Sequence, residues 1–243
     1  MDDSQDAASY QGACDRRIKI TRRRLAVAGP AAVLPASVEP VDLALALSVD
    51  VSASVDFGEF GLMIGGYAAA FRDAELAARL TSGTHGAVAV AMLFWSGPGA
   101  RDLAVPWTRV ASAEQAAARA EAINDAARIV PAGATALGEG LAAAAALLAR
   151  CPYPAARRVI DVSGDGSNNA GLPVAAGRAA ALALGATVNG LAVVNEEPDL
   201  EAYYRDEVIG GPGAFVIRAD DFGAFAEAIR RKLYREAAGP AVA

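Results

Sequence analysis

From residue 41 onward, short apolar stretches alternate with longer ones that repeat every three to four residues. Val41–Val49 and Ala87–Trp95 are almost continuously apolar, and Val41–Val49 runs into a polar cluster. Runs of that length and character fit parallel strands buried on both faces. Arg158–Ser163, Thr187–Val194 and the shorter Ala214–Ile217 read as further strands. Arg101–Trp107 alternates more, as an edge strand or hairpin partner does, and follows the turn Gly97-Pro98-Gly99.

Between these runs the pattern is helical. Asp56–Leu80 reads as one helix, because Phe60, Ile64, Tyr67 and Phe71 share a face. Ser112-x-x-Gln115 is a capping-box signature opening an Ala-rich helix to about Arg128. Further helices are expected over Ala136–Arg150, over Leu172–Leu184 with Gly185 as its stop, and over Leu200–Val208. A last helix starts near Asp221 and carries Phe222, Phe225, Ile229 and Leu233 on one face. Strands alternating with helices predict an α/β fold. A mostly parallel central sheet with an antiparallel edge strand is covered by helices on both faces, through right-handed crossovers. Ligand sites in such sheets lie beyond the carboxyl ends of the strands, where strand order reverses.

Composition adds limits. The chain has 243 residues, 54% hydrophobic and 21% charged, which suits one large α/β domain plus a tail, or at most two small domains, and excludes a disordered chain. A net charge of −6, with no basic stripe, gives no nucleic-acid footprint. The basic residues Arg16, Arg17 and Arg22–Arg24 gather near the N-terminus, ahead of the apolar run Leu25–Ala36. That is the plan of a secretory signal, and the paired arginines resemble a twin-arginine export signal. The expected product is periplasmic or secreted, cut near residue 37; the alternative is a cytoplasmic protein with a disordered leader. The run is too short to span a bilayer as a stable helix, so no stable membrane insertion is expected. This divides the chain into a leader at 1–39, a domain at 40–237 and a tail at 238–243.

His85 is the only histidine and stands in a turn-like run, so a His-based zinc site or a His-dependent triad has almost no material. Of the two cysteines, Cys14 lies in the leader and Cys151 reads as a small buried hydrophobe, which argues against a disulfide framework.

Three loops carry the chemistry. The first strand ends in Asp50-Val51-Ser52-Ala53-Ser54, Gly133-Ala134-Thr135 opens a helix, and Arg158–Ser163 leads into Gly164-Asp165-Gly166-Ser167-Asn168-Asn169. In the predicted fold all three sit at one edge of the sheet. They bring together the carboxylates of Asp50 and Asp165 and the hydroxyls of Ser52, Ser54 and Thr135. Such hard oxygen donors suit Mg²⁺, or Mn²⁺ or Ca²⁺ in its place. Taken singly, each motif is an ordinary helix cap or turn; together, in order and at the right element ends, they point to a metal. Asp161 reads either as a buried acid behind the metal or as a structural hydrogen-bond acceptor. Asn168 and Asn169 read as the rim of the site or as a plain turn, and Asp56 and Glu59 as a helix start. Trp95 and Trp107 read as packing, and Arg230, Arg231 and Lys232 as the solvated end of the last helix.

The order DxSxS, then Thr, then Asp-Gly after a later strand resembles the metal-ion-dependent adhesion site of von Willebrand factor A domains. Within that superfamily the chain resembles a bacterial family of unknown function. The resemblance rests on Val49 to Asp56, Trp95-Ser96-Gly97-Pro98, Pro106-Trp107-Thr108, Gly133 to Gly138, Arg158 to Asn169 and Val208 to Phe215, and covers roughly residues 40–236. It implies a three-layer, Rossmann-like von Willebrand A-type fold, with Ser52, Ser54 and Thr135 as hydroxyl ligands and Asp50 and Asp165 as carboxylates. Ala53 stands where related sequences often have Gly, at a non-ligating position.

The leading expectation is a non-enzymatic module that grips a carboxylate of a partner protein through the metal. The alternatives are a metal-assisted hydrolase and a metal-free scaffold. For an enzyme, the three loops lack an accompanying His, Lys or Cys, and the G-x-x-x-x-G-K-[ST] phosphate loop is absent.

Overall fold

The computed structural model describes residues 38–239. The expected export signal, Cys14 and residues 240–243 lie outside the described residues.

Six strands form one sheet: β1 (Val41–Asp50), β2 (Val88–Trp95), β3 (Arg101–Val110), β4 (Ala155–Gly164), β5 (Thr187–Val193) and β6 (Val216–Ala219), in the order β3-β2-β1-β4-β5-β6. All neighbours are parallel except β2 and β3. The antiparallel edge expected from the alternation of Arg101–Trp107 is therefore present. Pro106 and two register shifts interrupt this edge strand, which blunts it against pairing with a further strand.

The helices are α1 (Phe57–Arg72), α2 (Ala74–Leu80), α3 (Ala113–Asn124), α4 (Leu137–Ala149), α5 (Val174–Ala183), α6 (Leu200–Tyr203) and α7 (Phe225–Ala238). A π-helical turn, Tyr204–Val208, continues α6. The strands β1 and β2 are buried on both faces, yet their two faces differ. Leu43, Leu45, Leu47 and Val49 pack toward α1, α3 and α7, together with Val90, Met92 and Phe94 of β2. Ala44 and Ala46 face the other way, under α4. Each large side chain buried on the first face contributes about 1.5–3 kcal/mol, and the alanines let α4 lie close on the second.

That close approach extends to α4 against α5. A Cβ added to Gly177 would run into the carbonyl oxygen of Gly138 and come within 2.8 Å of Leu141 Cβ. Gly177→Ala is therefore expected to cost about 1–3 kcal/mol by overpacking, seen as a lower urea midpoint at unchanged slope.

Three expectations need correction. The helix expected over Asp56–Leu80 is two. Asp73 turns extended there (φ −67°, ψ 117°), and its carboxylate accepts from the backbone N–H groups of Glu75 and Leu76, so one residue closes α1 and caps α2. The helix expected to reach Arg128 ends at Asn124. Lys232 is not at a solvated end: its side chain is 0% exposed, ion-paired to Asp161 and hydrogen-bonded to Glu236 Oε1 at 3.0 Å. The amphipathic period of α7 places it on the buried face with Phe225, Ile229 and Leu233. The start of α1 is as expected, with Asp56 and Glu59 forming a capping box. Trp95 is fully buried, and Cys151 is half-buried against the core.

Candidate metal centre

Strand order reverses at β1, which pairs with β2 on one side and β4 on the other. Val49 pairs with Ser163, so Asp50 and Gly164 leave the sheet side by side. The loop after Asp50 stays tied to the sheet, since Val51 N donates to Trp95 O at 2.8 Å. It is also tied to the loop before α4, since Ala53 N donates to Gly133 O at 2.8 Å. The third loop closes on the second through two amides. Thr135 N donates to Asn169 Oδ1 at 2.9 Å, and Gly138 N to Asn168 Oδ1 at 3.0 Å. The two asparagines thus hold Thr135 and the start of α4 in place.

All five residues singled out in the sequence come together. Thr135 Oγ1 donates to Ser52 Oγ at 3.3 Å, the Ser52 and Ser54 hydroxyls are 3.2 Å apart, and Ser54 Oγ donates to Asp165 Oδ1 at 2.9 Å. Asp50 joins from behind, its Oδ1 accepting from Ser52 N at 2.8 Å. Asp50, Ser52, Thr135 and Asp165 are buried, and Ser54 is half-buried. The second oxygens, Asp50 Oδ2 and Asp165 Oδ2, are buried without a hydrogen-bond partner among the described residues.

That arrangement is costly for the protein alone. Burial, then the neighbouring Asp165 charge, pushes the Asp50 carboxyl up to about 7. Burial also raises that of Asp165. A cation placed among these groups would relieve both effects. The donors are all oxygen, two of them acidic and three neutral. They fit a hard divalent ion that keeps part of its water. No cluster of three or more His, Cys, Asp and Glu occurs among the described residues.

Asp161 stays apart from this group. Tyr67 Oη donates to its Oδ1 at 3.3 Å, and Lys232 Nζ lies 2.7 Å from its Oδ2, on the side of α1 and α7. Of its two readings, the structural acceptor is the one realised. His85 lies at the opposite end of β1, its N–H donating to Asp42 Oδ1 at 2.9 Å.

Two contributors had no signal in the sequence. Arg128, beyond the end of α3, donates from Nη1 to Val55 O at 2.8 Å, and from Nη2 to Val51 O at 2.9 Å and Ser52 O at 3.0 Å. One guanidinium thereby fixes the backbone that carries both serines. Arg128→Ala is expected to cost about 1.5–3 kcal/mol in urea unfolding and to weaken divalent-ion affinity roughly 10–100-fold. Arg128→Lys should restore little, because an ammonium lacks the planar fork. Tyr204 is the second contributor. A Cβ on Gly164 would lie 2.8 Å from its Oη and 3.0 Å from Asp50 Oδ2, so this glycine lets phenol and carboxylate close on one backbone.

A family model described as "Protein of unknown function (DUF1194)" matches residues 40–241. No curated protein matches. Among solved structures, the chain is similar to a von Willebrand factor type A protein from Catenulispora acidiphila, at 20% identity and TM-score 0.55, over 82% of this chain and 43% of that one. It is also similar to proximal thread matrix protein 1 from the mussel byssus, a structure with a zinc-occupied metal-ion-dependent adhesion site (14% identity, TM-score 0.52, 80% and 47% covered). A third is the pilus adhesin SpaC from Lactobacillus rhamnosus GG (15% identity, TM-score 0.53, 83% and 30% covered). The chain spans less than half the length of each of these three.

Proposed function

Because this chain belongs to the DUF1194 family and carries a von Willebrand factor A-like domain, we propose that it is a divalent-metal-dependent, non-enzymatic protein-binding module. One observation carries this reading. A chain of three hydroxyls runs from Thr135 to the Asp165 carboxylate, the Asp50 carboxylate is held beside it by Ser52 N, and each carboxylate keeps a buried oxygen with no partner among the described residues, at the point where strand order reverses. Ser52, Ser54 and Thr135 would hold the ion directly, and Asp50 and Asp165 directly or through water. Mg²⁺, with Mn²⁺ or Ca²⁺ as substitutes, would supply a Lewis-acidic centre whose charge is only partly cancelled by neutral hydroxyls. A partner's carboxylate would complete it.

The binding reading is favoured over metal-assisted hydrolysis by what surrounds the three loops. His85 stands at the far end of β1, and Lys232 is locked in a buried ion pair, so neither offers a general base or nucleophile. A partner protein rather than nucleic acid fits the net charge of −6. No helix of the described residues is long and apolar enough to cross a membrane. The pilus and byssus proteins of similar fold are in keeping with an exported or surface-exposed module.

Calorimetry with the full chain tests the proposal. Mg²⁺ or Mn²⁺ should bind at one site, and Asp50→Ala should abolish binding. Absence of binding at millimolar ion would defeat the reading, and phosphoester turnover lost in Asp165→Ala would favour the hydrolase.

A further inference from the structure

A cavity of about 500 Å³ opens at the end of the sheet away from the serine loop. Its walls come from the first residues of β4 and β5, the loop before β6 and the end of α7. Arg157, in this wall, pairs with Leu43 near the start of β1, whereas Asp50 ends that strand. Val159 and Phe215 give the cavity apolar sides, and Arg157, Asn189, Arg235 and Glu236 give it polar ones.

Glu236 is 2% exposed and has one oxygen engaged and one spare. Its Oε1 accepts from Lys232 Nζ and from Asn189 Nδ2, each at 3.0 Å. Its Oε2 is buried with no partner among the described residues. Two donors on Oε1 leave the proton of a neutral Glu236 on Oε2. Burial, then the Asp161 charge, pushes this carboxyl up to about 8, so the neutral form prevails near pH 7. The other groups whose charge it feels or affects are Lys232 on its own helix, Arg157 on β4 and Tyr67 on α1. The cavity wall thus carries an O–H donor that lacks an acceptor, which is costly for a buried group.

The two arginines add positive charge. Arg157 is half-buried, and its Nη2 donates to Glu236 O at 3.1 Å and Ala237 O at 3.5 Å. Burial disfavours its charged form. Arg235 is exposed, and its guanidinium lies over the Phe215 ring, 3.9 Å from the centre, a contact that uses no acid. Neither arginine takes part in an ion pair among the described residues. Glu236 is the only acid in the wall.

We propose that this cavity is a binding site for a small organic acid in its carboxylate form. The two guanidinium groups and the Glu236 Oε2 hydroxyl hold the carboxylate, and its apolar body covers Val159 and Phe215. A carboxylate suits the planar guanidinium fork and accepts the spare proton donor as well. The volume lies within the range of small-molecule pockets, which pair apolar walls with a few convergent polar groups. An inorganic anion would leave Val159 and Phe215 uncovered, and a cationic ligand would meet two arginines.

Amide proton–nitrogen NMR spectra of the full chain test this. The probes are acetate, hexanoate, benzoate and phenylacetate, their primary amides, and inorganic phosphate. All are measured in EDTA, so that no ion at the serine loop offers a carboxylate a second place to bind. Hexanoate, benzoate or phenylacetate should shift the amides of Thr187, Gly213 and Phe215, and the primary amides and phosphate should bind roughly tenfold more weakly or worse. Arg235→Gln should weaken the best carboxylate roughly tenfold while keeping the melting temperature, since this side chain is exposed. Between about pH 6 and about pH 9 the wild-type affinity should fall, as Glu236 loses its proton and a donor becomes a negative charge. Glu236→Gln, whose amide nitrogen still donates, should keep its affinity over that range. No binding by any carboxylate, amides or phosphate binding as well as the acids, shifts confined to other residues, an unaffected Arg235→Gln, or the same pH dependence in Glu236→Gln would each overturn the proposal.

Discussion

Lys232→Met is expected to destabilise the domain by about 3–5 kcal/mol, which for a domain of this size lowers the melting temperature by roughly 6–20 °C. The cause is one cation buried among acids. Lys232 Nζ lies 2.7 Å from Asp161 Oδ2 and 3.0 Å from Glu236 Oε1, with all three side chains fully buried. Asn189 Nδ2 also donates to Glu236 Oε1 at 3.0 Å. Burial and the Asp161 charge push the Glu236 carboxyl up to about 8, so near neutral pH it is largely protonated. The Lys232–Asp161 pair is then neutral overall. Removing the ammonium leaves Asp161 charged at the centre of the sheet, with only the Tyr67 hydroxyl at 3.3 Å. Urea unfolding at pH 7 measures the loss. Adding Asp161→Asn to Lys232→Met should recover most of it, because the cost is that of the orphaned charge.

The same group gives a pH dependence whose sign is fixed. Glu236 has a raised folded pKa, so folding takes up a proton between the ordinary glutamate value and about 8. Its contribution is complete below that ordinary range near 4.5 and declines as pH rises through about 8. Glu236→Gln keeps an acceptor for Asn189 and Lys232 and removes the titration. Its stability should therefore fall less than that of the wild type between pH 5 and 9.

Which of these features the sequence displays depends on where their partners lie. β1 and β2 are legible because both faces are buried, which leaves an unbroken apolar run. The site residues are legible because each sits just past a strand or just before a helix, where a parallel sheet collects side chains. The break at Asp73 is not, since the apolar period runs on through Leu76 and Leu80 and the cap is a local competition for two N–H groups. Arg128 and Lys232 are hidden for a different reason. Their partners, three carbonyls of the serine loop and an acid on β4, are remote in sequence, and a charged residue near a helix end gives no sign of facing inward. Phe57 is hidden the opposite way, because a Phe beside a helix start reads as core and here faces water.

Asp165→Asn should reverse its rank against the wild type when the ion is added, becoming the more stable protein in EDTA and the less stable one in Mg²⁺. Without a cation, Asp50 and Asp165 are both buried carboxylates raised by burial, and the Asp165 charge pushes the Asp50 carboxyl up further. Neutralising one removes that repulsion, while the amide oxygen can still accept from Ser54 Oγ, which donates to Asp165 Oδ1 at 2.9 Å. With Mg²⁺ the balance inverts. An ion at a hundredfold its Kd stabilises the wild type by about 2.7 kcal/mol through linkage, and a variant short of one negative charge forfeits most of that gain. Thermal melts of both proteins in EDTA and in saturating Mg²⁺ give the four values needed. A purely structural Asp165 predicts that the variant is less stable by the same amount in both buffers. Equal Mg²⁺-induced shifts in the two proteins would mean that the ion binds elsewhere. The crossing of ranks separates a site held under electrostatic strain for a ligand from a hydrogen bond that merely fastens two loops.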